Sequence, residues 1–169
     1  PASHDPAEVL EKVLAHPRME GLDLACGVST GTRYEVAALG AERFHVVAYD
    51  FGVKASSPRL MAERGCKVTV LPADTPPEAA LELDPDGLFV SNGPGDPAAV
   101  SQAEEMVRRF AEAGVPIFGI CLGHQMLALA VGAKTMKMHQ GHRGANQPVK
   151  NLTSGRVEIT SQNHGFAVD

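Results

Sequence analysis

The sequence predicts an α/β fold in which a mostly parallel β-sheet carries helices on both faces. From His45 to Gly132, short apolar runs alternate with stretches of helical period, the signature of successive βαβ units. Those runs are apolar throughout rather than every second residue, as strands covered on both faces must be. The residues with chemical character cluster where the runs end, and sites in open α/β sheets form at the carboxyl ends of strands.

The elements follow in order. Residues 5–15 form a short helix, with Asp5 as cap, Pro6 in the first turn and Val9, Leu10, Val13 and Leu14 as one apolar stripe. Residues 21–43 show no sustained period, contain Gly27, Gly31 and Gly40, and read as a linker or the tail of another domain. His45-Val46-Val47-Ala48-Tyr49 is a buried strand that ends at Asp50 and Gly52. A helix follows at 58–64; Pro58 lacks an N–H, so the helix begins at or just before it, with Ser57 as cap. Residues 67–71 form the next strand, and Pro76 and Pro77 introduce a weak helix to Leu83. The strand at 87–91 runs into Asn92-Gly93-Pro94-Gly95-Asp96-Pro97, and a longer helix at 100–113 is closed by Gly114. Residues 115–120 are a strand and 122–131 a helix that Gly132 ends. Beyond lie short β-like pieces at 134–138, 147–152 and 156–160, separated by loops containing Gly and His.

A chain of 169 residues holds one such domain and a short appendage. A net charge of -5 and a pI near 5.8 argue against a nucleic-acid-binding surface, and no apolar run is long enough to span a membrane. Cys26, Cys66 and Cys121 form no CxxC pair, which fits free thiols in a reducing cytosol and a cytoplasmic location. The chain opens at Pro1 without Met and stops at Asp169 directly after Gly165-Phe166-Ala167-Val168, so it is expected to be a fragment of a longer protein.

Gly119-Ile120-Cys121-Leu122-Gly123 fits a small-x-nucleophile-x-small elbow, in which a strand turns sharply into a helix and presents the middle side chain. The helix N-terminus would favour the thiolate, and the N–H of Leu122 would face an oxyanion formed when the sulfur attacks a carbonyl. A buried structural cysteine beside two packing glycines is the competing reading, and the strand–turn–helix context favours the nucleophile. Ser91 to Asp96 is a rigid Gly/Pro loop at the end of the preceding strand. It is either a plain turn or the source of a second oxyanion amide, and no Gly-Lys-Ser/Thr makes it a phosphate loop. Ser161-Gln162-Asn163-His164-Gly165-Phe166 suggests a substrate-contacting turn whose His is more simply structural than catalytic. His139, His142 and His164 lack the carboxylates and spacing of a metal site.

With these segments in view, the sequence resembles the small (glutaminase) subunits of carbamoyl phosphate synthetases, within the class I glutamine amidotransferases. Gly119 to Gln125 carries the nucleophile signature. Val47 to Gly52 with Lys54, Ser91 to Asp96, Gly141 to Lys150 and Gln162 to Val168 narrow the resemblance. It implies a flavodoxin-like sheet that is C-terminally incomplete, with residues 1–43 a remnant of an N-terminal domain and linker and 44–169 the amidotransferase domain. It also implies roles. Cys121 would attack the side-chain amide of glutamine, with the amides of Gly93 and Leu122 holding the oxyanion. Gly93, Gly95, Leu122, Gln125, Asn163, Gly165 and Phe166 would contact the glutamine. The thioester would be hydrolysed, and ammonia would pass to a large synthetase subunit that binds ATP and Mg and serves pyrimidine and arginine biosynthesis, with no cofactor in this chain.

Departures bear on activity. The family completes its triad with a His and a Glu separated by one Pro downstream of the Asn-His-Gly-Phe stretch; no His-Pro-Glu occurs here, so the piece is expected to be inactive or nearly so. The family's glutamine-contacting N-terminal serine also lies outside the chain, and Ala55-Ser56-Ser57-Pro58 differs from the usual run after the lysine. Another class I amidotransferase component or a non-catalytic docking module are the alternatives. The Asn-His-Gly-Phe stretch and the N-terminal remnant disfavour the first, and the intact elbow cysteine disfavours the second.

Overall fold

Apolar, β-branched runs build the centre of the molecule, which a computed structural model describes over residues 5–169. The first four residues of the expected N-terminal remnant lie outside the described residues. The elements are α1 (Pro6–Ala15), β1 (Tyr34–Val36), β2 (Phe44–Asp50), α2 (Ser56–Ala62), β3 (Cys66–Pro72), α3 (Pro77–Leu81), β4 (Gly87–Val90), α4 (Ser101–Glu112), β5 (Ile117–Gly119), α5 (Leu122–Ala130), β6 (Thr135–Lys150) and β7 (Val157–Val168).

Five strands form one sheet in the order β1-β3-β2-β4-β5. β2, β3, β4 and β5 run parallel, in register Val47↔Thr69, Val47↔Leu88 and Phe89↔Phe118. Alternation along β2 explains the two faces. Val47 and Tyr49 point to one side, where Leu88, Val90, Met106, Phe110 and Met126 of β4, α4 and α5 complete a core. Ala48 points to the other, packing with Val68, Val70 and Phe89 beneath Met61 of α2. Tyr49 anchors the larger core: its ring stacks with Phe51 and meets the edge of Phe110, and its hydroxyl donates to the Thr75 carbonyl at 3.0 Å.

Several expectations hold at the level of single residues. Asp5 caps α1, its carboxylate accepting from the Ala7 N–H at 3.0 Å. Gly114 and Gly132 follow α4 and α5 with φ of 73° and 88°, the left-handed conformation that stops a helix.

Two expectations are corrected, and two stretches whose packing the sequence left open are placed. The stretch at 21–43, expected as a linker or the tail of another domain, packs on the sheet: β1 pairs antiparallel with β3 (Tyr34↔Val70), and Ala25 lies fully buried in the core. A three-residue edge strand is too short for its period to register in the sequence. The helix after β2 starts at Ser56, two residues earlier than a Ser57 cap allows; its N-cap is Ala55, with no side-chain cap bond, and the Ser57 N–H donates instead to the Lys54 carbonyl at 2.8 Å. Pro58 then sits where its missing N–H leaves no intrahelical bond unmade. The apolar stripe of α1 faces outward, with Val13 and Leu14 64% and 75% exposed. Finally, the short β-like pieces after Gly132 are one long antiparallel ribbon of β6 and β7, whose register shifts between Lys137 and His142 and between Gly144 and Gln147. Bulges at those glycine- and histidine-rich points made continuous strands look like fragments separated by loops.

Candidate active site

β5 and α5 meet at Cys121, which takes φ 53° and ψ −107°, a backbone conformation that non-glycine residues avoid. The flanking glycines make it attainable. A side-chain carbon at Gly123 would press on the Val90 carbonyl oxygen, and one at Gly119 would lie 2.6 Å from Gly123 backbone. The Ile120 N–H donates to the Val90 carbonyl at 3.1 Å, so the elbow is bonded to the end of β4. The small-x-nucleophile-x-small spacing is therefore a steric requirement of the turn itself.

The thiol is half-buried at the floor of a cavity of about 970 Å³. Every residue expected to act on the glutamine borders it: Cys121, Gly93, Gly95, Leu122, Gln125, Asn163, Gly165 and Phe166. Gly93 is wedged so closely between the Phe51 carbonyl and the Leu122 side chain that no larger residue fits. Gly95 has φ 95°, and a methyl there would meet the Leu22 carbonyl at 2.8 Å. The segment before β1 clamps this loop, with the Asp96 N–H donating to the Leu22 carbonyl and the Asp96 carboxylate accepting from the Gly21 N–H at 2.9 Å.

The Ser161–Phe166 stretch is a correction to the expected turn, for it lies within β7. It crosses the cavity as a strand, and its Asn163 carbonyl accepts the Cys121 S–H at 3.7 Å. Gln125, 5% exposed, donates from Nε2 to the Phe166 carbonyl at 2.7 Å and so ties the ribbon to the elbow helix. His164 also borders the cavity; its Nδ1 bonds the Phe166 carbonyl at 2.6 Å, and its Nε2 lies 2.8 Å from Gln162 Oε1 and 3.1 Å from His142 Nδ1. Among the described residues no imidazole nitrogen is hydrogen-bonded to the Cys121 sulfur, and no group of three or more His, Cys, Asp or Glu is placed to hold a metal.

The electrostatics differ from the expected thiolate. Burial pushes the Cys121 thiol up from its ordinary value, against the Leu122 N–H and the Lys54 ammonium, which both pull it down. Desolvation is the largest of the three effects, so the net shift is upward. Two contributors to the cavity had no role assigned from the sequence, Lys54 and Arg143. Both line it, while among the described residues no Asp or Glu does, which makes this lining cationic. The Arg143 Nη1 donates to the His164 carbonyl at 2.9 Å, and Nη2 would stand 3.7 Å from a methyl at Gly165. Only the pairing of Arg143 with Asn163 across the ribbon brings that guanidinium to the site. No local pattern signals it.

A strand–elbow–helix cysteine facing a glycine loop on a parallel sheet defines a class, and comparison agrees. The sequence model of glutamine amidotransferase class-I matches residues 47–169, and the chain belongs to that family. It is 58% identical over 166 residues to the carbamoyl phosphate synthase small chain of Rubrivivax gelatinosus, covering 92% of this chain and 43% of that protein. The small chain of Acinetobacter baylyi is 56% identical over 173 residues, covering 96% of this chain and 46% of that protein. The chain thus spans less than half the length of these relatives. Its fold is similar to that of a glutamine amidotransferase from Thermotoga maritima, with a TM-score of 0.58 and 17% identity over 75% of this chain and 62% of that one. A glutamine amidotransferase from Methylobacillus flagellatus gives a TM-score of 0.53 and 19% identity over 77% of this chain and 58% of that one.

Proposed function

We propose that this chain carries the thiol half of a glutamine-hydrolysing site that feeds ammonia to a carbamoyl phosphate synthetase large chain. Cys121 is the nucleophile. Its sulfur attacks the side-chain amide carbon of glutamine, and the amide N–H groups of Gly93 and Leu122 hold the oxyanion. Collapse of the tetrahedral adduct expels ammonia and leaves a thioester, which water cleaves to glutamate and free thiol. Gly95, Gln125, Asn163, Gly165 and Phe166 form the walls against which the glutamine lies. The single observation that carries this reading is the half-buried Cys121 at a strained elbow, its sulfur next to the Leu122 N–H inside a cleft that also contains Gly93. The cationic lining suits a substrate that bears a carboxylate. The small-chain relatives support the large-chain partner, and we further propose a cytoplasmic setting and a role in pyrimidine and arginine synthesis.

The raised thiol makes a base indispensable, since a thiol is a poor nucleophile and the departing ammonia needs a proton. No residue of this chain takes that part in the proposal. The 169-residue chain alone therefore releases almost no glutamate from glutamine, while a glutamine analogue bearing an electrophile labels Cys121 ahead of Cys26 and Cys66. Turnover by the chain alone at an ordinary enzymatic rate refutes the division of labour. Labelling spread equally over the three cysteines refutes the nucleophile assignment.

A further inference from the structure

Asp50 ends β2 at 6% exposure, and no cation is bonded to it among the described residues. Its two oxygens are instead filled by backbone. Oδ1 accepts the N–H groups of Gly52 and Val53, each at 2.8 Å, and Oδ2 accepts the Thr30 N–H at 2.9 Å. One buried carboxylate thus binds three amides from two segments, the loop after β2 and the strand-free stretch before β1. The same loop is gripped from the other side. Ser91, fully buried at the end of β4, accepts the Phe51 N–H on Oγ at 2.9 Å and donates to the Asn92 carbonyl at 2.9 Å. The Asn92 side chain donates to the Gly52 carbonyl at 2.8 Å.

This frame bears directly on the cleft. A methyl on Gly52 would stand 3.2 Å from the Gly93 Cα and 3.3 Å from Pro94, so the loop rests on the glycine loop; Gly93 in turn is packed against the Phe51 carbonyl. Lys54, two residues past Gly52, lines the cavity that holds Cys121. We propose that Asp50 is a positioning residue: its carboxylate locks the Phe51–Lys54 loop in the conformation that sets the Gly93 amide and the Lys54 ammonium around the Cys121 thiol. This rests on the glutamine-hydrolysing reading above. Charge and geometry are both required of the side chain. An asparagine has a single acceptor oxygen, so its NH₂ must face either Thr30 or the Gly52–Val53 pair, donor against donor.

The test uses the full-length protein with its partner chain. Folded sites are counted by stoichiometric alkylation of Cys121, and glutamate release is expressed per counted site. Asp50→Asn is expected to lower kcat by about tenfold, because a displaced oxyanion donor weakens the transition state, while KM stays within about twofold. Its alkylation pH profile should move upward as Lys54 loses its fixed place. Ser91→Ala, which cuts the same frame from β4, should act alike, and the double variant should lose no more than the worse single one. An unchanged kcat per counted site and an unchanged pH profile in Asp50→Asn, or in Ser91→Ala where Asp50→Asn does not fold, overturn the proposal. If the unmodified full-length protein hydrolyses no glutamine, the functional reading itself fails; turnover in that protein with unaltered variants sinks Asp50 alone.

Discussion

Replacing Gly123 by alanine puts the elbow under a load that can be worked out from the packing. The new methyl would meet the Val90 carbonyl oxygen, with the Val90 carbonyl carbon at 2.7 Å and the Ser91 oxygen at 3.0 Å. All three are backbone atoms, two of β4 and one of the residue that follows it, so no side-chain rotation relieves the contact. Carbon atoms pack comfortably at about 3.5–4.0 Å, so α5 must back away from β4 by about 1 Å. Alanine in a helix is worth about 1 kcal/mol over glycine, whereas overpacking a rigid site costs about 3 kcal/mol at the upper end of its range. The net loss is about 2 kcal/mol, which lowers the melting temperature of a chain this size by about 4–8 °C. Displacing Cys121 by a comparable distance from Gly93 should slow its reaction with a glutamine-like electrophile by about a hundredfold. Thermal melting monitored by circular dichroism reads the first quantity and mass-spectrometric labelling of Cys121 the second. Gly27→Ala is the control: a methyl there meets nothing within 4 Å. A Gly123→Ala protein that melts and labels like the parent would refute the steric account of the elbow.

Three other outcomes follow. Burial raises the Cys121 thiol, and the thiolate is the reactive form, so alkylation by iodoacetamide should accelerate with rising pH to a midpoint above the ordinary cysteine value of about 8.5. Lys54→Met removes a cation that lowers that value, so the midpoint should climb further, and a profile unmoved by the substitution would show that Lys54 exerts no field on the sulfur. Gln125→Leu removes the 2.7 Å bond to the Phe166 carbonyl and leaves His164 Nδ1 as that oxygen's partner, at a cost of about 0.5–1.5 kcal/mol, with faster hydrogen exchange in β6 and β7; exchange at its original rate would mean the ribbon is held by other contacts.

The parallel strands and the elbow were legible because their causes are local. A run such as Val46-Val47-Ala48-Tyr49 is apolar because both its faces are covered, and Gly119 and Gly123 flank Cys121 because the turn admits nothing larger. The glycines at 93 and 95 announced a tight loop for the same reason. What stayed hidden were pairings between distant residues. Tyr34 finds Val70 across the sheet, Arg143 reaches the cleft by pairing with Asn163, and Gln125 is spent on the Phe166 carbonyl. None of these leaves a period or a motif behind.

The protonation of the thiol belongs to the same division. By itself the sequence placed a cysteine at the start of a helix, where the amides and dipole favour a negative charge, and it determined that this side chain would stand at the head of a strand–turn–helix unit. Only the folded chain decided how much water the sulfur loses when β7 and the Gly93 loop close around it. Desolvation sums over every neighbour the tertiary structure supplies, whereas the helix amides come from the next residues in the chain, so the stronger of the two opposing effects was the one that no stretch of sequence contains.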